Sequence, residues 1–145
     1  MKALLTALLL ILFTLGYAAA DTPLPEDMKI VPPGADVPAG IARYSGIWTG
    51  YWSTANRQEV TIVIERVEPP NVYLVNSWGF GGRSAAGYAR AKGVIEGDRI
   101  VFETKTTRTT LTIHPTLNII NAEVTRSSAE AGKGSRFTAE LVKKP

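Results

Sequence analysis

The sequence predicts an all-β protein whose strands follow one another in a single antiparallel meander and close into a small barrel. From Tyr44 onward, short runs rich in Val, Ile, Thr, Tyr and Trp alternate with Gly, Pro, Asn and Asp, which is the pattern of strands and turns. Apolar and polar side chains alternate within these runs, as expected for a sheet with one buried face. No window keeps the period of a helix. A β-sandwich is the alternative that the same spacing of turns allows.

Eight segments carry the strand pattern: 46–53, 58–67, 72–78, 87–96, 99–104, 108–114, 117–125 and 135–143. Turn residues separate them. Pro69-Pro70-Asn71 divides the second segment from the third, Gly97-Asp98 is a two-residue hairpin link, and Pro115-Thr116 joins the sixth to the seventh. Consecutive hairpins of this kind predict strands that pair in chain order.

The fourth segment leaves its inner face open. One face carries the small residues Ala89, Ala91 and Gly93 followed by Ile95, whereas the other carries Tyr88, Arg90, Lys92 and Val94. If the small face points inward, the interior is less filled there. Barrels of eight strands lie near the size at which side chains either fill the lumen or leave room for one small ligand.

The first twenty residues have the order of a secretory signal peptide. Lys2 gives a positive start, the run from Ala3 to Leu15 is almost entirely apolar, and Ala18-Ala19-Ala20 is a small-residue cleavage pattern. We expect cleavage after Ala20 and a periplasmic or secreted protein. The apolar run is shorter than the roughly 20 residues of a membrane span, so no span is expected after cleavage. An uncleaved anchor is the alternative, but it leaves the Ala triplet unexplained.

Residues 21–43 form a separate region, before the predicted barrel domain at 44–145. Five prolines punctuate it: Pro23, Pro25, Pro32, Pro33 and Pro38. Proline disrupts both helices and sheet ladders, so no regular helix or strand is expected here. We predict an extended, partly disordered arm; the alternative is an arm that packs along the domain surface.

Composition excludes several functions. The 145 residues carry 16 basic and 13 acidic side chains, a net charge of +3, and the basic residues are scattered rather than clustered. Nucleic-acid binding is therefore not expected. The chain has no cysteine and one histidine, His114. The usual zinc, haem-thiolate and iron–sulfur sites lack ligands, so neither a metal nor a cofactor is predicted.

The candidate catalytic patterns are weak, and we predict a protein that is not an enzyme. Residues 82–86 (Gly-Arg-Ser-Ala-Ala) resemble a nucleophile elbow, but that motif needs a helix after the serine, and a strand pattern follows Ser84. His114 stands beside Pro115, which predicts a hydrogen-bonded turn residue rather than a base. Four glutamates fall on outer positions of their strands and so do not form a facing pair of carboxylates. They are Glu65, Glu103, Glu123 and Glu140.

Two motifs carry a resemblance to known barrels. Gly46-Ile47-Trp48 resembles the Gly-x-Trp signature of the lipocalin and avidin-like (calycin) barrels. That resemblance implies that Trp48 packs at the closed end against an arginine of the last strand, and Arg136 is the candidate for a cation–π pair. The opening from Tyr44 to Trp52 and the segment from Tyr73 to Gly79 are also similar to a small bacterial barrel module of unassigned function. The chain departs from lipocalins in its short strands and in lacking a disulfide and a C-terminal helix.

The aromatic residues around the glycine-rich loop 79–84 predict a ligand site. Trp78 and Tyr88 flank this loop, and Asn76 and Arg90 add polar groups beside them. Arg83, within the loop, would add positive charge where glycine N–H groups turn toward an anion. An aromatic wall with a few polar groups suits a small apolar or aromatic molecule, bound in the open end of a secreted, non-enzymatic barrel.

A second interpretation stays open. A barrel whose lumen is solid would instead act as a protein-interaction or inhibitor-like module in the cell envelope. The Pro-rich arm would then be a tether or a docking peptide. The sequence specifies neither the ligand, nor the partner, nor the oligomeric state.

Overall fold

The protein is a closed antiparallel β-barrel. The computed structural model describes residues 22–54, 56–81, 84–126 and 135–145. Within them, eight strands pair in chain order, and the pairing of the first with the last closes the sheet. The elements are α1 (Ala39–Ala42), β1 (Gly46–Trp52), β2 (Glu59–Glu68), β3 (Asn71–Trp78), β4 (Gly87–Glu96), β5 (Arg99–Glu103), β6 (Thr107–Ile113), β7 (Ile119–Arg126) and β8 (Arg136–Lys143). The predicted all-β class and meander are confirmed, as a barrel and not a sandwich.

Strand boundaries agree with the sequence pattern to within two residues. The link between β4 and β5 is the predicted two-residue turn, because Glu96 pairs with Arg99 and Gly97 has a φ of +66°. The largest difference lies between β6 and β7. Leu117, a predicted strand residue, belongs to the turn, and the His114 N–H donates instead to the Ile119 carbonyl at 2.8 Å.

The hydrophobic core runs through the lumen from one end of the barrel to the other. The side chain of Trp48 is 0% exposed, and apolar residues from neighbouring strands surround it. The largest fully buried ones are Ile62, Ile64, Leu74, Ile100, Leu111, Ile120 and Leu141. Each of these contributes roughly 1.5–3 kcal/mol through removal from water. Burial of this kind holds the barrel together, since the sequence contains no cysteine.

The small-residue face of β4 points inward. Ala91 pairs with Leu74 of β3, and Gly93 pairs with Phe102 of β5. A Cβ at Gly93 would stand 3.1 Å from both the Ile100 side chain and a backbone carbonyl oxygen. The small residues therefore let large neighbouring side chains cross the lumen.

Tyr44 and α1 cover one end of the barrel, which we call the closed end. The Tyr44 side chain is 0% exposed; its hydroxyl accepts from the Ile113 N–H (2.8 Å) and donates to the Asp98 carbonyl (2.7 Å). Its own carbonyl accepts from Nε1 of Trp48 at 2.7 Å. Burial raises the pKa of the Tyr44 phenol above its usual value. Ile41 of α1 is buried beside it.

The Pro-rich arm packs along the outside of β2 and β3. Packing along the domain surface is the alternative given above for this arm. Thr22 donates to Thr61 (2.6 Å), and the Ser77 hydroxyl donates to the Pro23 carbonyl (2.5 Å). Thr22, Thr61 and Ser77 are all buried. The expectation of no helix in this region is wrong for one turn, α1, which follows Pro38 at its N-cap. Proline suits a helix start because its ring already holds φ near the helical value.

Candidate ligand-binding site

The end opposite α1, which we call the open end, is less covered along β3 and β4. Along the inner face of β4, Ala89 is exposed, Ala91 is half-buried and Gly93 is buried. Along β3, Asn76 is half-buried and Leu74 is only 1% exposed. The inner faces of these two strands therefore form a shallow recess, which we call the cup, and its floor lies at the level of Leu74.

Three aromatic side chains of the hydrophobic core lie near the open end. Trp52, at the end of β1, meets Phe137 of β8 edge to face, with ring centroids 5.2 Å apart and planes at 89°. Phe102 of β5 contributes a third buried ring. The guanidinium of Arg126 lies 5.9 Å from the centroid of the Phe137 ring. Edge-to-face packing holds the Trp52 and Phe137 rings in one geometry.

Trp78 stands at the rim of the cup. Its Nε1 donates to the Ala85 carbonyl at 3.0 Å, and its ring lies against the backbone of Gly87, where a Cβ would come within 3.0 Å. The first residue of the following loop is also held in place, because the side-chain amide of Gln58 donates to the Gly79 carbonyl at 3.0 Å. Trp78 is thus held in a defined orientation while remaining half-buried.

Asn76 supplies a polar group inside the cup. It pairs with Ala89 of β4 and with Ile62 of β2, so its side chain shares the inner face with theirs. Its amide takes part in none of the hydrogen bonds between the described residues, and it is not fully buried. An amide offers both donors and an acceptor, so it can pair with one polar group on a ligand.

The structure does not bring all the predicted site residues together. Trp78 and Asn76 face the cup, but Tyr88 and Arg90 lie on the outer face of β4, opposite Ser77 and Val75. The sequence does not determine which face of β4 points inward. Because the small residues point inward, the large ones point outward. Arg83 lies outside the described residues.

Arg90 anchors the arm instead. Its guanidinium donates to Asp27 at 2.8 Å and lies 3.5 Å from Glu65. The hydrogen bond from Arg90 lowers the pKa of the Asp27 carboxyl. Glu65 also accepts from the Lys29 N–H at 3.2 Å. These charged groups hold the middle of the arm against the barrel.

The predicted pairing of Trp48 with Arg136 is wrong. Arg136 lies on the outer face of β8 and pairs with Glu123. Lys143 takes the expected position, because it shares the inner face with Leu141; its Nζ lies 5.2 Å from the Trp48 ring centroid and donates to the Arg43 carbonyl at 3.3 Å.

The residues considered for catalysis make the contacts of turn and strand residues. Nδ1 of His114 accepts from the N–H groups of Thr116 (3.3 Å) and Leu117 (3.1 Å), which confirms the predicted turn role. Ser84 pairs with Gly81 as an isolated bridge, and β4 follows it, so the turn leads to a strand and not a helix. Among the described residues, no three His, Asp or Glu side chains lie where they could share a metal ion.

Sequence reasoning missed Trp52, Phe137 and Phe102 as core residues near the open end. Alternation places Trp52 and Phe137 on inner faces, but it does not show which strand ends lie at the same level. That information is in the register, where Ala139 stands opposite Trp52 and Phe137 opposite Val124.

Comparison with protein-family models, with curated proteins and with solved structures found no match. In the part of the chain that the structure describes, no helix is both long and apolar enough to cross a membrane.

Proposed function

We propose that this protein is an extracytoplasmic, calycin-like barrel that binds a small apolar or aromatic molecule in its open end and catalyses no reaction. The observation that carries the proposal is the exposed, inward-facing Ala89 above a filled core. The signal-peptide pattern of residues 1–20 supports export, and the Gly-x-Trp opening supports the calycin-like assignment.

The lining favours a ligand with a flat apolar body and one polar edge. The half-buried rings of Trp78 and Phe137 offer apolar contact, whereas Asn76 offers a single amide. Ligand sites are typically apolar and largely preformed, with a few polar groups that fix orientation. The floor at Leu74 limits the depth of the cup, which excludes long chains that would need to thread the lumen.

A fluorescence titration tests this proposal. The probe is N-phenyl-1-naphthylamine, a neutral aromatic dye whose emission rises in apolar surroundings. We expect saturable binding and energy transfer from tryptophan, and Trp78→Ala should weaken binding by about tenfold through loss of one ring contact. Tyr88→Ala is the matched control, since it removes an aromatic residue from the outer face of the neighbouring strand.

Two results would contradict the proposal. One is the absence of saturable binding by the intact protein. The other is equal weakening by Trp78→Ala and Tyr88→Ala, which would move the dye to the outer surface.

A protein-interaction module is the second candidate, and one observation favours it. Leu117 and Val142 are large, apolar and about half exposed, and Ile119 pairs with Val142 beside them. Apolar side chains grouped on a surface mark contact sites. Capture of a stoichiometric partner from envelope extract, abolished by Val142→Thr, would favour this candidate over the ligand-binding one.

A further inference from the structure

A polar trough crosses the outer face of β6, β7 and β8, on the side of the barrel away from the arm. Its volume is about 450 Å³. Six polar side chains line most of it: Thr110, Thr112, Asn121, Glu123, Thr138 and Glu140. It is separate from the cup, because these residues point outward while their chain neighbours point into the lumen.

The strand register arranges these side chains in two rows that run across the strands. Thr110, Glu123 and Thr138 stand opposite one another in the first row. Thr112, Asn121 and Glu140 form the second. Neighbouring strands lie about 4.8 Å apart, so each row presents a polar group at that interval.

The second row extends on both sides beyond these three residues, and the side chains at its ends are longer. It continues to Arg99 on β5 and to Tyr51 on β1, which pairs with Glu140. Tyr51 is 53% exposed, although large aromatic side chains are usually covered. The shorter side chains of Thr112 and Asn121 lie between longer ones on both sides. This difference in length explains why a convex barrel wall carries a trough here.

Four of the six polar side chains of the trough have no partner within the part of the chain that the structure describes. Among the described residues, the side chains of Thr110, Thr112 and Asn121 make no hydrogen bond to one another or to their neighbours, and Glu140 has no cationic partner. Hydroxyl and amide groups act as both donors and acceptors.

Charge on this face is balanced. Glu123 is paired with Arg136, Arg99 lies 3.8 Å from Asp98, and the positive charge of Arg57 beside Tyr51 offsets that of Glu140. Polyanions such as nucleic acids need a surplus of cations, which is missing here. The balance therefore fits a neutral ligand.

We propose that this trough binds a neutral oligosaccharide that lies across the strands along the second row. Sugar hydroxyls pair with groups that both donate and accept, and sugars in an extended glycan repeat at roughly the strand spacing of 5 Å. The apolar face of a terminal sugar would stack on the Tyr51 ring, on the face opposite the Arg57 guanidinium. This site is independent of the ligand proposed for the cup.

Calorimetric titration of the full-length chain tests this site. The probes are hexamers of β-1,4-linked glucose and of β-1,4-linked N-acetylglucosamine, each compared with its disaccharide. We expect at least one hexamer to bind about tenfold more tightly than its disaccharide, because the hexamer spans the whole row. Asn121→Leu and Tyr51→Ala should each weaken hexamer binding by about tenfold. Both residues are exposed, so neither change disturbs the core.

Lys92→Ala is the matched control, since Lys92 is an exposed outer-face residue of β4, beyond the trough. It should leave binding unchanged, as should Trp78→Ala in the cup. The site is overturned if neither hexamer binds, if a polyanion such as heparin binds in their place, or if Trp78→Ala abolishes the binding and Asn121→Leu does not.

Discussion

The two ends of the barrel differ in how completely their side chains are buried and hydrogen-bonded. At the closed end, Trp48 and Tyr44 are fully buried, and each of their polar atoms has a backbone partner. At the open end, Trp78 stays half-buried and Asn76 keeps its amide unpaired among the described residues. The closed end is therefore built from buried side chains whose polar atoms are bonded, whereas the rim of the open end keeps partly exposed groups.

Substitution of the two tryptophans should separate these roles most clearly. We expect Trp48→Ala to lower the free energy of unfolding by about 3–5 kcal/mol, since it empties a closely packed core. Trp78→Ala should cost less than about 2 kcal/mol, because its ring is partly in water already. Urea unfolding followed by circular dichroism measures both. Similar losses for the two variants would show that the open end also carries the fold.

How far the sequence predicts this division differs between fold and site. The alternation of residues such as Val60, Ile62 and Ile64 specifies the strands and their inner faces, because the period of two follows from backbone geometry. The closed end is only partly predictable. Gly46 shows why: its φ of +125° and its contact with Lys143, 2.9 Å from a would-be Cβ, depend on the closure of β1 on β8.

The site is harder to predict, because it depends on depth within the lumen. Residues of one strand face share a direction, but their exposure depends on which neighbours cross the barrel at that level. Ala89 and Gly93 are alike in sequence terms; Ile100 covers Gly93, and Ala89 stays exposed. The misplaced Tyr88 and Arg90 have the same origin, since nothing local says which face of β4 turns inward.

The hydroxyl of Tyr44 provides the second test of the closed end. Tyr44→Phe removes the acceptor for the Ile113 N–H and the donor to Asp98, which should lower the free energy of unfolding by about 1–3 kcal/mol. Tyr88→Phe is the control at an exposed tyrosine, where no change is expected.

The same residue predicts a pH dependence. Burial raises the pKa of Tyr44 in the folded state above its ordinary value of 10.0, so the unfolded chain loses this proton first. The unfolded state is then favoured as the pH rises, and stability should fall from about pH 10 until Tyr44 itself ionises in the folded state. Tyr44→Phe should flatten this decline in urea midpoints measured at rising pH. An identical slope in both proteins would show that other groups cause it.

The smallest expected effect concerns which cation faces Trp48. Lys143→Met keeps the length of the side chain but removes the ammonium group over the indole, and should lower stability by roughly 0.5–1 kcal/mol. Arg136→Met should leave the surroundings of Trp48 unchanged, because Arg136 lies on the outer face beside Glu123. The indole resonance of Trp48 in a nuclear magnetic resonance spectrum distinguishes the two. A shift caused by Arg136→Met and not by Lys143→Met would restore the arginine pairing that the Gly-x-Trp resemblance implies. A shift caused by Lys143→Met shows instead that a lysine of the last strand fills that position.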